Sequence, residues 1–372
     1  MLSLAACLLL VPWVQAALHH LYVGSVDGSS IYALELEDEY RTIDIVQNST
    51  AAGAASALVL DRSRKFLFSS RPSDGTVSRY LVNPDYSLIH EGTMDVPKSC
   101  NTTSFKNIKL TSGPQPPSTI FGSASTGSCS AIFSTSVSGY YQHRSSDIAG
   151  DVRSLVFSPD GHHLRALDFK RNSIMNFIIR EDTDFDDLNG TDVLTDVTTS
   201  RQIISHPGGH RLYVVTQDTN ELIDLALLST TDRVDSSLPT RHHTILPKDT
   251  KPGEFFTSSV AIPSANTTLW TLSQSSTQAQ ITVFKLDPVT GEVKEKVARA
   301  GFKNAGGSAE TVTSALSAAP FGGNLVAVTT YPGGMVAVMG LDETGGTVKI
   351  KSYGRAVITQ DAGCCGEAVW VN

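Results

Sequence analysis

The stretch RSLVFSPDGHHLRAL (153–167) combines a short apolar run, a turn that contains Pro and Gly, and a second apolar run. The same phrase recurs along the 372-residue chain at a spacing of about 50 residues. Its other clear copies are SALVLDRSRKFLFSS (56–70), RQIISHPGGHRLYVV (201–215), SVAIPSANTTLWTLS (259–273) and ALSAAPFGGNLVAVT (315–329). A weaker copy, KNIKLTSGPQPPSTIFGSA, occupies 106–124. Short strands and turns repeated at this period are typical of a β-propeller with one four-stranded blade per copy.

The two ends of the chain supply the halves of one further copy. EAVWVN (367–372) provides a first strand, and HHLYVGSVDGSSIYALEL (19–36) provides the strands that would follow it. Pairing these ends in one blade would close the ring and remove its open sheet edges. We therefore predict an all-β, seven-bladed propeller, closed by the N- and C-terminal strands, as a single domain over residues 17–372.

The charge of the chain limits its partners. The 29 Lys and Arg and the 37 Asp and Glu residues give a formal net charge of −8. No basic run offsets this acidic balance. We therefore expect no nucleic-acid partner and no attachment to an anionic membrane.

Residues 1–16, MLSLAACLLLVPWVQA, are predicted to be a signal peptide. An apolar segment from Leu2 to Val14 is followed by Gln15 and Ala16, where small residues favour cleavage. The segment is too short to span a membrane. The alternative is a buried first strand, but the segment lacks the alternation of a strand face. We expect a secreted, extracellular protein.

Four sequons agree with export. Asn-x-Ser/Thr occurs in polar stretches, where loops are expected and where glycans could be attached, at Asn48, Asn101, Asn189 and Asn266.

The cysteines also agree with export. Outside the predicted signal peptide the chain has four, an even number. Cys100 and Cys129 flank the least regular copy, and a disulfide between them would hold that loop-rich segment. Cys364 and Cys365 are adjacent and would form either a bridge to each other or two separate thiols. If the chain is not exported, four reduced thiols are the alternative.

The repeat also predicts which side chains surround the central channel, because the innermost strand of each blade runs along it. The residue before the first apolar run of each copy is Ser56, Lys106, Arg153, Arg201, Ser258, Ala315 or Glu367. In equivalent copies these side chains form one ring that contains three cations. Converging cations need an anion, and Arg matches carboxylates in bidentate fashion, so we predict a small polycarboxylate ligand. The alternative is that these charges pair with one another or with Asp168 and Asp218, with no ligand at all. No Cys/His spacing suggests a metal site.

Three segments carry a resemblance to a known family: LHHLYVGSVDGSSIYALELED (18–38), RQIISHPGGHRLYVVTQDTNELI (201–223) and GEAVWVN (366–372). They resemble the fungal-type carboxy-cis,cis-muconate cyclases and, more broadly, the lactonase-like seven-bladed propellers. The resemblance implies a cofactor-independent isomerase. Such an enzyme closes a carboxymuconate into a lactone by adding a carboxylate across a conjugated double bond and protonating the adjacent carbon.

The resemblance also implies roles for individual residues. The family's substrate-binding Arg matches Arg201, whereas its His and its acidic residue fall on Arg153 and Gln217. Since neither Arg nor Gln exchanges protons near neutral pH, Glu367 becomes the candidate for proton transfer. The predicted ring and the resemblance together imply Arg201 and Glu367 as catalytic residues, with Lys106, Arg153, Arg201 and Gln217 in substrate binding.

Three functions stay open from the sequence. The first is a secreted cyclase-like isomerase that acts on a small unsaturated polycarboxylate. The second is a secreted glycoprotein that uses the propeller as a non-catalytic module, with cell-wall or extracellular glycans among its candidate partners. The third is a lactone hydrolase, which would need a metal and a cluster of Asp, Glu, Asn and His around the axis.

Overall fold

The computed structural model describes residues 17–97, 105–113, 119–136, 142–180, 184–185, 189–228, 231–303, 315–359 and 363–371. They form seven antiparallel sheets, the blades of a propeller. Strands are numbered along the chain, and each blade is given from its innermost strand outward. Blade 1 consists of β29 (Cys364–Trp370), β1 (Leu18–Ser25), β2 (Ser30–Glu37) and β3 (Thr42–Thr50).

The other six blades follow one another along the chain. Blade 2 consists of β4 (Ala57–Leu60), β5 (Phe66–Arg71), β6 (Thr76–Val82) and β7 (Leu88–Asp95). Blade 3 consists of β8 (Asn107–Ser112), β9 (Thr119–Ser125), β10 (Cys129–Ser136) and β11 (Gln142–Ala149). Blade 4 consists of β12 (Val152–Phe157), β13 (His163–Asp168) and β14 (Ser173–Arg180), with the short β15 (Asp184–Phe185) and β16 (Gly190–Val193) outside them.

Blades 5 to 7 complete the ring. Blade 5 consists of β17 (Ser200–Ser205), β18 (Arg211–Thr216), β19 (Glu221–Ala226) and β20 (Arg241–Thr244). Blade 6 consists of β21 (Phe256–Ala261), β22 (Thr268–Gln274), β23 (Gln278–Leu286) and β24 (Val293–Lys303). Blade 7 consists of β25 (Leu316–Ala318), β26 (Val326–Thr330), β27 (Met335–Asp342) and β28 (Lys349–Val357), with a 3-10 turn at Thr344–Gly346.

Blade 1 closes the ring as predicted. The C-terminal β29 pairs antiparallel with β1, with Trp370 opposite Leu21 and Ala368 opposite Val23. The indole N–H of Trp370 donates to the carbonyl oxygen of Ser317 in blade 7, at 3.1 Å. The last strand of the chain therefore joins the first blade to the seventh, and the predicted seven-bladed fold is confirmed.

The core is divided among the spaces between blades. The described residues form seven apolar clusters, and each cluster draws its members from two neighbouring blades. Strands in the middle of a blade are therefore buried on both faces, as in β22, where every residue is buried. Outer strands such as β7 are largely exposed. This gradient explains why the two apolar runs of each copy predict the inner two strands.

The weakest copy is a genuine blade. In blade 3 the strand β9 has the sequence TIFGSAS, and all seven residues are buried. A Cβ atom on Gly122 would collide with the ring of Phe133 on the adjacent strand, so only glycine fits there. The bulky partner explains why this copy has small residues where the others have large apolar ones.

No helix among the described residues is long and apolar enough to cross a membrane. The predicted signal peptide, residues 1–16, lies outside the described residues.

Candidate functional site

The innermost strands of blades 4 and 5 each contain an extra, unpaired residue at the same place, and in both strands this residue is an arginine. On β12, Val152 lies opposite Asp168 and Ser154 lies opposite Leu167, so Arg153 has no residue opposite it. The same register shift occurs on β17, where Ser200 and Gln202 lie opposite Thr216 and Val215 and the unmatched residue is Arg201. These are β-bulges, which redirect the side chain of the extra residue. They lie near the end of the channel at which the innermost strands begin, which we call the upper mouth.

Arg153 is held in one orientation. Its Nε and Nη2 lie 3.0 and 2.9 Å from Oδ2 of Asp151, and its Cζ lies 3.7 Å from the ring centroid of Phe169. Asp151 is itself fixed, because Oδ1 accepts a hydrogen bond from the Ser125 hydroxyl at 2.7 Å. An ion pair on one edge and an aromatic ring on one face leave the Nη1 end of this guanidinium for another contact.

Arg201 is in a different environment. Burial lowers its pKa to about 10, and the positive charge of Arg153 lowers it further, whereas Glu367 and Asp151 oppose the shift. Arg201 therefore interacts electrostatically with Arg153, Glu367 and Asp151. The charge of Arg153 disfavours the positive charge of Arg201, and an anion between the two guanidiniums would relieve this repulsion.

Blade 5 lacks the two groups that hold Arg153. The backbone N–H of Phe169 donates to the Asp151 carbonyl oxygen at 2.9 Å, and the N–H of Gln217 donates to the Thr199 carbonyl oxygen at 2.8 Å. Thr199 and Gln217 therefore occupy in blade 5 the positions of Asp151 and Phe169 in blade 4. The predicted binding residue Gln217 thus lies at the upper mouth beside Arg201, where its side-chain nitrogen is 3.4 Å from Oδ1 of Asp218.

Glu367 lies one residue further along its strand than the two arginines. On β29, Ala368 pairs with Val23, as Leu155 on β12 pairs with Ala166, so Glu367 corresponds to Ser154 and not to Arg153. Its carboxylate forms an ion pair with Lys109 on β8.

Lys109 is the residue that the sequence reasoning missed, and Lys106 is the one it chose. The β8–β9 pairing is continuous and has no bulge, which places Lys109 opposite Ser123. Lys106 is exposed outside β8, and its side chain packs over Gly127. The predicted ring of equivalent positions is therefore wrong at Lys106. Counting back from the last residue of β8 by the same number of residues that separates Glu367 from the last residue of β29 would have given Lys109.

The strand position of Glu367 joins neighbouring blades from blade 4 to blade 7. In blades 4, 5 and 6 it carries Ser154, Gln202 and Ser259. Their side-chain oxygens accept the backbone N–H groups of Ile203, Val260 and Leu316 at 3.2, 2.8 and 3.0 Å.

Between blades 1 and 3 the ion pair of Glu367 and Lys109 takes the place of these hydrogen bonds. Blade 2 has the small Ala57 at this position, so Glu367 and Lys109 meet across it. Their side chains are 31% and 28% exposed, so solvent reaches the pair.

The site thus contains two carboxylates and three cations among the described residues that these contacts and pKa effects identify: Asp151, Glu367, Lys109, Arg153 and Arg201. Their formal charges sum to +1. Such a site favours a small anion, and the ion-paired carboxylate supplies a base within the same group.

The residues that could hold a metal ion lie away from the upper mouth. In the described part of the chain, one group of His and acidic residues has ligand atoms close enough to hold an ion: Asp160, His163 and Asp232. This group lies near the opposite mouth, where the innermost strands end. The buried guanidinium of Arg165 already binds Asp232 through Nη2. A bound cation would have to displace this guanidinium or lie against it.

The predicted glycosylation sites differ in their surroundings. Asn189 is exposed between β15 and β16, and Asn266 is half-buried in the turn between β21 and β22. Asn48 is exposed too, but it lies on the outer strand β3 and not in the expected loop. Asn101 lies outside the described residues.

The structure shows the bonding state of three of the four cysteines that follow the predicted signal peptide. Cys364 and Cys365 form a disulfide with each other. Cys129 is also disulfide-bonded, and its predicted partner, Cys100, lies outside the described residues.

No protein-family model matches the chain, and no curated protein matches it. Solved structures do. A putative 6-phosphogluconolactonase from Bacteroides uniformis is 15% identical, with a TM-score of 0.72 over 95% of this chain and 99% of that one. The periplasmic gluconolactonase of Pseudomonas aeruginosa is 16% identical, with a TM-score of 0.71 over 96% and 99% of the two chains. A putative 6-phosphogluconolactonase from Bacteroides fragilis is 15% identical, with a TM-score of 0.70 over 93% and 99%.

At these identities the likeness establishes a common fold over nearly the whole length of both proteins. The chain is therefore similar in architecture to lactonase-like seven-bladed propellers.

Proposed function

We propose that the protein binds a small carboxylate-bearing molecule at the upper mouth and interconverts it with a lactone. The observation that carries this proposal is the pair of arginines on neighbouring bulges, of which Arg201 interacts electrostatically with both Arg153 and Glu367. Paired guanidiniums match a carboxylate or a developing enolate. The similarity to proteins named gluconolactonases supports a lactone as one partner of the reaction. The carboxymuconate cyclase resemblance favours the intramolecular, lactone-forming direction.

The residues divide the reaction between them. Arg153 and Arg201 hold a carboxylate of the substrate and stabilise the negative charge that develops next to it as a second carboxylate adds to the double bond. Glu367, an ion-paired carboxylate, is the base that removes a carbon-bound proton when the lactone opens. In the closing direction the protonated form of the Glu367–Lys109 pair returns that proton to carbon. Gln217 contributes an amide at the rim of the site.

We also propose that the protein works outside the cell. The predicted signal peptide and the sequons Asn48, Asn189 and Asn266 support secretion, as does the similarity to a periplasmic enzyme. Expression in a eukaryotic secretion host tests this directly. A secreted product that begins at residue 17 and loses mass on treatment with an endoglycosidase is expected, and retention of residues 1–16 in an intracellular product would contradict it.

Two assays test the reaction itself. Loss of the diene absorbance of 3-carboxy-cis,cis-muconate reports lactone formation, and acid release from glucono-1,5-lactone with and without a chelator reports hydrolysis. We expect diene loss that is insensitive to chelation. Glu367→Gln should abolish turnover and retain binding, and Arg201→Ala should weaken binding. Arg355→Ala is the matched control, because Arg355 is exposed on the outer strand β28.

The alternatives predict other results. A wild-type protein that binds carboxylates without turning over either compound would favour the non-catalytic binding module. Lactone hydrolysis that stops on chelation would favour a metal-dependent hydrolase. Failure to bind any small carboxylate would contradict the proposal.

A further inference from the structure

The Cys364–Cys365 disulfide lies on the innermost strand of the blade that closes the ring. Both side chains are completely buried and pack in the apolar cluster between blades 7 and 1. Neither cysteine is accessible to a ligand in the channel. The proposed reaction therefore gives this bond no direct part in chemistry, and its role must follow from what it does to the strand.

The disulfide lies at a bulge that is larger than those of the arginine blades. On β1 a single residue, Gly24, separates Val23 from Ser25. On β29 three residues, 365–367, separate their partners Ala368 and Cys364. This strand therefore carries two unmatched residues, whereas β12 carries only Arg153 at the corresponding place. A longer bulge leaves more backbone without ladder hydrogen bonds and so with more conformational freedom.

Glu367 is the last residue of this bulge, and the disulfide spans the beginning of it. The backbone N–H of Glu367 donates to the Ser56 carbonyl oxygen at 3.3 Å, which is a long hydrogen bond. The carbonyl oxygen of Cys364 accepts the N–H of Gly334 at 3.1 Å, which joins the start of the bulge to blade 7. A covalent bond at this end restricts the path by which the chain reaches Glu367.

We propose that the Cys364–Cys365 disulfide positions Glu367 for its contact with Lys109, so that the carboxylate of the channel is in place only in the oxidised protein. In this role the cysteines are positioning residues, since they do not contact the substrate. The catalytic consequence rests on the proposed function of Glu367. The ion pair with Lys109 does not depend on that function, and it provides a separate measurement.

Reduction changes the bond in a defined way. The disulfide takes up two electrons and two protons and becomes two thiols, while a dithiol reductant is oxidised to its own disulfide. Release of the constraint gives residues 365–367 other conformations, and Glu367 then spends less time against Lys109. The oxidising conditions met by a secreted protein would keep the bond formed.

The reactivity of Lys109 toward an amine-acetylating reagent, quantified by mass spectrometry, tests the proposal without any substrate. The ion pair protects the Lys109 amine, and Glu367→Gln defines the labelling rate of the unpaired amine. We expect the double variant Cys364→Ala with Cys365→Ala to label several-fold faster than wild type at Lys109 and to approach Glu367→Gln. Lys248, exposed in the segment after β20, is the internal reference and should not change.

A matched variant separates positioning from packing. Val338→Ala removes buried apolar volume from the same cluster and keeps the disulfide, so its Lys109 should label at the wild-type rate. A folded double variant with wild-type labelling of Lys109 would overturn the proposal. If this variant and the Cys364→Ser, Cys365→Ser pair both fail to fold, the bond is a folding staple only, which also overturns it.

The enzymatic readout then separates the two proposals. If the wild type turns over substrate, the double variant should lose kcat with little change in KM, because the arginines are untouched. If the wild type has no turnover but Lys109 labelling rises as expected, the proposed function fails and the positioning role stands.

Discussion

The innermost strands of blades 4 and 5 present the same residue at the same bulge in two different environments. In blade 4, Asp151 pairs with one edge of Arg153, and Phe169 covers one face of its guanidinium. In blade 5, Thr199 and Gln217 occupy those two positions beside Arg201. The pKa of Arg201 is lowered by burial and by the positive charge of Arg153.

The difference indicates a division of labour. A guanidinium that is already paired and stacked costs little to hold in place, so Arg153 is pre-organised to orient a ligand. The half-buried guanidinium of Arg201, with its lowered pKa, gains more from a bound anion, because the anion offsets its desolvation. We expect Arg153 to determine geometry and Arg201 to determine affinity.

The largest effect follows from truncating each arginine in turn. Tricarballylate is a suitable probe, since it is a saturated tricarboxylate that cannot form the lactone. Arg201→Ala should weaken its binding by about 100-fold, the range for removing one partner of a buried charge pair. Arg153→Ala should weaken it by about tenfold, and Arg355→Ala should have no effect. Isothermal titration calorimetry measures all three, and equal losses for Arg153→Ala and Arg201→Ala would contradict the division of labour.

The second effect is on stability, and replacing the two arginines should change the free energy of unfolding in opposite directions. Arg153→Met leaves Asp151, whose side chain is only 4% exposed, without its ion pair, and should lower the free energy of unfolding by about 2 kcal/mol. Arg201→Met removes a charge that the folded state disfavours, because the folded pKa lies below the ordinary value, and should raise that free energy by about 1 kcal/mol. Urea unfolding at neutral pH measures both. A loss of stability in Arg201→Met would show that the contacts of Arg201 in the folded state outweigh its desolvation.

The sequence predicted the blades better than it predicted the positions of their side chains along the channel. Each blade is specified by local apolar runs and turns, so even the weak copy that becomes blade 3 was correctly placed. The sequence pattern does not reveal a bulge. Arg153 and Arg201 were found together because the extra residue on β12 and on β17 comes just before the apolar run. On β8, which has no bulge, Lys109 lies at the position that Ser154 occupies on β12, and on β29 Glu367 lies at that position too.

The partners of Arg153 show a second limit. Asp151 is two residues away in sequence and could have been proposed as an ion-pair partner from proximity alone. Phe169 follows the next strand, and its contact with the guanidinium depends on how the turn after β13 folds back over the bulge. Such a contact is a property of tertiary packing, and the sequence pattern of a propeller blade does not encode it.

A third prediction converts one environment toward the other. Thr199 has a φ of 53°, which a β-branched residue adopts with strain and Asp adopts more readily. Thr199→Asp places a carboxylate near Arg201, as Asp151 lies near Arg153. It should raise the pKa of Arg201 and weaken tricarballylate binding by about tenfold, since the new charge competes with the ligand. Thr199→Asn, which has the same shape without the charge, should bind as the wild type does. Equal binding by Thr199→Asp and Thr199→Asn would show that the affinity for tricarballylate does not depend on the charge of Arg201.

The smallest effect is a pH dependence that belongs to Arg201 alone. Its pKa is lowered to about 10, so the group is protonated and binds anions below that pH, and it loses its charge as the pH rises through about 10. Affinity for tricarballylate should therefore be constant from about pH 7 to 9, fall about twofold near pH 10, and continue to fall above it. Lys109 lies in the same channel, so the comparison that matters is with Arg201→Ala, measured over the same range. The additional fall of the wild-type curve is the contribution of Arg201, and parallel curves for the two proteins would mean that burial does not lower the pKa of Arg201.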